Sequence, residues 1–380
     1  MRMKEQIIHL LYTLFRVFPI RKNRIVFSSF DNTLYGGNPR VITEALLKVK
    51  NVEAIWILNP DVDVELPSAI KRVSSHSLKK IYYYSTAKIW VDSHHFYNRW
   101  KRKNQYLIQT WHAALPLKKI EGEVPQYFSP EHIRQVRRCS EMTDYQISNS
   151  DKATEILRDG MWYTGPVIQV GMPVNDILVN QNTELVLNKL DELGLNKKNK
   201  YILYAPTCRQ SDTEDKVNAL DYERVTNAFR KRFGGEWKVL YRGHPIADSK
   251  QKEELLNPEV IDVTKIQLIS DLLVIADAVI TDYSSTVTDF MITRRPAFLY
   301  TYDYNIYKLK RDFMFSLEEL PFPLAKNNET LEEQILAFDD SKYQSDIDRL
   351  FMKWNLKETG EATMTLLNVL IYIMFGRGNT

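Results

Sequence analysis

Short apolar runs alternate with stretches whose apolar residues recur at helical spacing, and the alternation occurs twice along the chain. In the first series RIVFSSF (24–30), VEAIWIL (52–58), KIWVDS (88–93), QYLIQT (105–110), DYQISNS (144–150) and VIQVGMP (167–173) read as strands. A helix over 38–48, opened by Asn38 and Pro39, falls between them. A second lies near 77–87, and a third begins at DKATEILRDG with Asp151 as its cap. In the second series KYILYAPT (200–207), WKVLYRGHP (237–245), VIDVT (260–264), AVITDYSS (278–285) and RRPAFLYTYD (294–303) read as strands, with helices over 220–233 and 268–277. The polar stretch 180–199 carries a helix and reads as a hinge. This grammar predicts an α/β protein of two doubly wound, Rossmann-like domains with parallel sheets, whose strand ends face a central cleft.

A chain of 380 residues, 44% hydrophobic and 26% charged, suits two soluble domains. The expected divisions are a basic amphipathic helix (1–23), an N-terminal domain (24–180), a C-terminal domain (181–360) and a C-terminal helix (361–380) packing back on the N-terminal domain. The formal net charge is only +3, so partners must be read from where charges lie. In the first segment Ile7, Leu10, Leu11, Leu14 and Phe18 share a helical face, and Arg2, Lys4, Arg16, Arg21, Lys22 and Arg24 outnumber Glu5. His9 and Arg16 interrupt the apolar part, so it is too short and polar to span a bilayer, which excludes a transporter. Such a helix either lies on an anionic membrane or packs on its own domain. The basic segments 97–103 and 134–138 extend the same choice to a surface for anionic lipid or a polyprenyl diphosphate. Cys139 and Cys208 stand far apart, in no metal-ligand spacing, which fits a reducing cytoplasm. No nucleic-acid motif is present.

Chemistry-bearing residues collect at the predicted strand ends. Thr110-Trp111-His112 follows one strand, Ala205-Pro206-Thr207-Cys208-Arg209 another, Arg242-Gly243-His244 a third and Asp282-Tyr283-Ser284-Ser285 a fourth. A histidine there is either a packed core residue or an acid or base. Ser284 and Ser285 either cap a helix or hold phosphate at its N-terminus, with Asp282 orienting a neighbour. Arg242 and Arg209 suit bidentate phosphate binding or a salt bridge. Lys118-Lys119 is a solvated turn or an anion contact. No carboxylate cluster suits a metal cage, so no metal ligand is assigned and metal dependence stays open.

Taken in order, QTWHAALPLKK, GMPVNDIL, ILYAPTCRQ, YRGHP, ITDYSSTVTDF and RRPAFLYTYDYNIY resemble the CDP-glycerol:glycerophosphotransferase family of teichoic acid and capsule synthesis, over roughly residues 24–320. The resemblance implies a glycosyltransferase-B-like fold and a peripheral enzyme on the cytoplasmic face of the membrane. It implies transfer of glycerol phosphate from CDP-glycerol to a hydroxyl of a lipid-linked, polyprenyl diphosphate glycan, releasing CMP. No cofactor beyond the donor substrate is implied, and a homo-oligomer stays open. The N-terminal domain then takes the acceptor and the C-terminal domain the CDP donor. His112 matches the catalytic histidine acting as base on the acceptor, and His244 the catalytic histidine that contacts the donor pyrophosphate and assists departure of CMP. Arg209, Arg242, Thr207, Asp282, Ser284 and Ser285 form the expected donor set, with Lys118 and Lys119 on the acceptor side. Two departures stand out: AALP follows the Trp-His pair where the family carries Gly and a short Thr/Ser-Pro, and Gly243 replaces a bulkier residue. The length, with no room for an extra N-terminal domain, suggests a primase or capsule enzyme. Rival readings are a ribitol-phosphate transferase or nucleotide-sugar glycosyltransferase on this fold, and a non-catalytic binding subunit.

Overall fold

The computed structural model describes residues 3–96, 98–207, 220–243, 257–310 and 312–376. They cluster into two units. One comprises Met1–Ala114, Ile120–Asp176 and Leu356–Thr380, the other Leu115–Lys119 and Ile177–Asn355.

The first unit is built on one seven-stranded sheet. Its strands are Arg21–Ser28 (β1), Glu53–Leu58 (β2), Ile70–Ser74 (β3), Ala87–Asp92 (β4), Tyr106–Gln109 (β5), Tyr145–Ser148 (β6) and Val167–Gln169 (β7). They run in the order β3-β2-β1-β4-β5-β6-β7, all pairings parallel. Because crossover helices cover both faces, central strands are apolar throughout. Alternate residues of one strand then enter different cores: Ile25 and Phe27 join Trp56, Ile89 and Val91 on one face, while Val26 joins Ile55, Ile57 and Trp90 on the other. The C-terminal helix Ala362–Phe375 fills the first core with Leu366, Leu370 and Met374. Its first turn is tied down by the Asp176 carboxylate, which accepts from Ala362 N and Thr363 N at 3.0 and 2.7 Å. The N-terminal helix Met3–Phe15 covers the second core with Tyr12, Ile8, Leu11 and Phe15.

The second unit repeats the plan with Asn199–Tyr204 (β8), Glu236–Tyr241 (β9), Val260–Asp262 (β10), Ala278–Thr281 (β11), Ala297–Tyr300 (β12) and Leu324–Ala325 (β13). Their order is β10-β9-β8-β11-β12-β13, again all parallel. Each sheet therefore reverses its winding once, between β1 and β4 in the first unit and between β8 and β11 in the second. Such switch points are where open α/β sheets bind ligands.

Some local expectations need correction. The helix Asp151–Met161 is capped by Ser150, whose hydroxyl accepts from Ala153 N at 3.0 Å, so Asp151 is its first residue. The helix expected from Asn38 starts at Gly37, after a cap at Gly36. Edge strand β3 was not anticipated, because Lys71 and Arg72 are exposed and break the apolar run. The helix Pro130–Met142 is an addition to the expected elements, opened by Ser129-Pro130 with Ser129 Oγ accepting from His132 N.

Candidate active site

At the first switch point the ends of β1, β4 and β5 meet. Ser29 Oγ and Ser93 Oγ lie 3.0 Å apart across it. Beyond β1 the chain makes a left-handed turn, with φ of 46°, 52° and 68° at Phe30, Asp31 and Asn32. Asp and Asn tolerate this region better than most residues, but a run of three stores strain beside the site. Beyond β4, Asp92 accepts from His94 N at 3.0 Å and holds Arg99 at 2.6 Å. Beyond β5, Trp111 is also left-handed, with φ 55°. Gln109 accepts from Trp111 N at 3.1 Å and donates to His94 O at 3.0 Å. Asn38, 1% exposed, donates to Trp111 O at 3.1 Å and accepts from Val174 N at 3.1 Å.

These bonds aim His112. Its Nδ1 lies 3.2 Å from Ser93 O. A carbonyl only accepts, so Nδ1 carries the proton and Nε2 presents a lone pair. The ring stands against His94 at 5.1 Å, Trp111 at 4.2 Å and Phe30 at 5.5 Å between centroids. Crowding by protein, then the His94 ring, pushes the imidazole down to about 3, opposed by the bond to Ser93. His112 is nonetheless exposed, and water beside it offsets part of that depression, which leaves a neutral imidazole at pH 7.

Behind Trp111 lies a buried charged pair. His95 Nε2 is 3.5 Å from Glu121, which also meets His132 Nε2 at 3.0 Å. Burial alone would raise Glu121 and lower His95. For the imidazole, Cys139 first and then Glu121 reverse this and push it up to about 9; for the carboxyl, His95 and then His132 bring it down to about 2. Among the described residues no group of His, Cys, Asp and Glu side chains suits a metal ion.

The second switch point joins the ends of β8 and β11. Asp282, 2% exposed, accepts from Thr207 N at 2.9 Å, Thr207 Oγ1 at 2.6 Å and Tyr283 N at 2.5 Å. Asp282 thus acts as a clamp on the Ala205-Pro206-Thr207 turn. Ser284 and Ser285 precede the short helix Thr286–Phe290, and Ser285 occupies its cap position without a side-chain cap bond. Ser284 Oγ donates to Thr286 Oγ1 at 2.9 Å. At the end of neighbouring β9, Arg242 faces no carboxylate within ion-pair distance among the described residues. Its Nε is buried without a partner among them, its Nη2 reaches Ile266 O at 3.5 Å, and burial pushes the guanidinium down. An arginine stays charged under such a push, so among the described residues this cation has no compensating carboxylate. Gly243 matters here: a Cβ would lie 3.2 Å from the Tyr241 ring and 3.4 Å from Thr264 Oγ1, so a bulkier residue would require Tyr241 to move.

Lys119 pairs with Asp312 at 3.3 Å, and Lys118 lies over the Tyr307 ring at 5.7 Å; both belong to the strap 115–119 of the second unit. Arg209 and His244 lie outside the described residues. Asn38, Ser93, His94 and Gln109 escaped sequence reasoning because their roles are hydrogen bonds across the sheet that no local spacing announces.

Two all-parallel doubly wound sheets, one presenting a neutral histidine and the other a hydroxyl turn beside an arginine with no ion pair among the described residues, place the chain in the glycosyltransferase-B-like fold class. Comparison makes this specific: the chain belongs to the CDP-glycerol:poly(glycerophosphate) glycerophosphotransferase family, whose sequence model matches residues 10–372. It is 30% identical over 362 residues to the teichoic acid poly(glycerol phosphate) polymerase of Staphylococcus epidermidis, covering 90% of this chain and 50% of that protein. It is 28% identical to the polymerase of that name from Bacillus spizizenii, with 98% of each covered. A structure of the wall teichoic acid polymerase TagF, a variant soaked with CDPG, superposes with a TM-score of 0.82 at 26% identity, covering 98% of each chain. The chain thus spans half the length of the first relative and nearly all of the second.

Proposed function

We propose that the protein transfers glycerol phosphate from CDP-glycerol to a hydroxyl of a membrane lipid-linked glycan, releasing CMP, in synthesis of a teichoic acid or capsule-type polymer. The observation that carries this is the His112 geometry: Nδ1–H is committed to Ser93 O, and Nε2 is left to take a proton. In the step, the acceptor oxygen bonds to the glycerol-bearing phosphorus. The phosphoanhydride bond to CMP breaks, CMP leaves with the electron pair, and the acceptor proton passes to His112 Nε2. Such transfer needs positioning and cations more than covalent help. For the donor phosphates Arg242 supplies a charge with no ion pair among the described residues and Ser285 a hydroxyl not used as a cap, while Thr207 and Ser284 serve as donors only by releasing Asp282 and Thr286. The roles of Arg209 and His244 rest on the family resemblance. A base held low in the free enzyme rises when an anionic substrate arrives, which readies it only in the assembled complex.

Membrane association of the first unit is supported by Met3, Ile7, Leu10, Leu14 and Val17, all more than half exposed on or just beyond the N-terminal helix. Among the described residues no helix is long and apolar enough to cross a membrane. The test is CMP release with a lipid-linked disaccharide in detergent, offering CDP-glycerol, CDP-ribitol and nucleotide sugars in turn. Turnover with CDP-glycerol is expected. Turnover only with another donor replaces the donor assignment, and donor binding without turnover supports a binding subunit.

A further inference from the structure

The helix Pro130–Met142 carries the charged feature that the site above does not use. Pro130, Ile133, Arg134, Arg137 and Arg138 fall on one face at helical spacing and, with Phe128, line a groove of about 640 Å³. The lining mixes apolar side chains with three arginines and Glu141. Arg134 is taken by Glu131. Arg137 and Arg138 have no ion-pair partner among the described residues. Instead their guanidinium carbons lie over the rings of Trp162 and Trp100, at 4.0 and 4.2 Å from the ring centroids. Arg138 Nη2 also donates to Arg99 O at 3.1 Å, which orients that guanidinium, while its other N–H groups and the exposed Arg137 fork can still meet phosphate oxygens. Glu5 and Glu141 lie near Arg138 without reaching ion-pair distance, and no described acid pairs with Arg137.

The surroundings say what lies beside the charge. Trp100 packs on His9 and Tyr12 of the N-terminal helix, at 5.1 and 5.6 Å, and Gln135 donates to Glu5 at 3.1 Å. The groove therefore borders the helix that exposes Ile7, Leu10 and Leu14. On the same helix as the arginines, His132 meets Glu121, and Glu121 leads through His95 to Trp111 and His112. An anion with an apolar tail, bound beside a membrane-type face on the unit that holds the base, has the chemistry of a prenyl diphosphate. Lys119 and Lys118 are engaged elsewhere, with Asp312 and the Tyr307 ring.

We infer that this groove binds the diphosphate and first prenyl units of the lipid-linked acceptor, Arg137 and Arg138 holding the phosphates and Phe128, Pro130 and Ile133 the tail; this rests on the function proposed above. The test is calorimetric titration of the full-length protein with farnesyl diphosphate, farnesyl monophosphate and farnesol. Farnesyl diphosphate should bind, farnesol at least about tenfold more weakly, and the Arg137→Gln/Arg138→Gln pair should weaken the diphosphate by about tenfold or more. The exposed Arg137→Gln alone reads the groove if the pair does not fold. In CMP release the pair should raise KM for the lipid-linked acceptor and leave KM for CDP-glycerol unmoved. Unchanged farnesyl diphosphate affinity in the variants, or equal affinity for farnesol, overturns the proposal. So does competition by phosphatidylglycerol vesicles that the pair abolishes, which would make the groove a reader of bulk headgroups. If CDP-glycerol is not turned over at all, the proposed function fails while the titration still reads the groove.

Discussion

The two units share one topology and place opposite electrostatics at the same point of it. At the β1/β4 reversal, hydrogen bonds converge on an imidazole that the surroundings keep neutral. At the β8/β11 reversal, a buried carboxylate spends its acceptors on one turn, while a neighbouring arginine carries charge with no partner among the described residues. Sheet order makes the crevice, and a handful of side chains at its lip decide whether it handles a proton or an anion. The first lip spends its polar groups on geometry: Asn38, Gln109 and Ser93 all bond backbone or ring atoms near His112. The second keeps a cation in reserve.

Substitutions can break this contrast on either side. The largest effect is expected for Asp282→Ala, which leaves Thr207 N, Thr207 Oγ1 and Tyr283 N without their acceptor. With about 1–3 kcal/mol at stake for a buried donor left unmade, KM for CDP-glycerol should rise by about a hundredfold and urea unfolding should move to lower concentration. Arg242→Gln comes next. Losing a charged contact worth about 2 kcal/mol should raise KM for CDP-glycerol by about thirtyfold, with kcat changed much less. On the first unit, Asn38→Ala should lower kcat by about tenfold and leave the donor KM alone, because Trp111 loses the bond that holds its left-handed backbone. Asn38→Asp should rescue less than half of that, since it keeps the acceptor for Val174 N and loses the donor to Trp111 O.

The smallest effect sharpens the comparison through pH. A base works in its neutral form, so activity falls as pH drops through its pKa. With His112 pushed down toward about 3, the acid limb of kcat/KM assignable to it should lie below the roughly 6.5 of an ordinary histidine. His94→Gln removes one cause of that depression and should move the limb to higher pH. An unmoved limb would assign it to another group.

Much of the fold is legible in the sequence, because buried parallel strands leave near-continuous apolar runs such as Glu53–Leu58 and Ala278–Thr281. Edge strand β3 and the two-residue β13 are not, since solvent on one side or brevity erases the run. At the candidate site, strand-end position alone brought forward His112, Arg242 and Asp282. Asn38 read as a helix opener, and only the folded chain brings it to Trp111, 73 residues away. The left-handed turn at Phe30-Asp31-Asn32 carried a faint signal in its Asp and Asn. The buried pair of His95 and Glu121 carried none, because its partners come from separate loops.

The division of labour is tested most directly by measuring CDP-glycerol affinity and CMP release together on His112→Ala. The account predicts wild-type donor affinity with turnover lowered by about a hundredfold or more. Turnover near wild type, or donor affinity lost along with it, would contradict the assignment of the proton to one unit and the donor phosphates to the other.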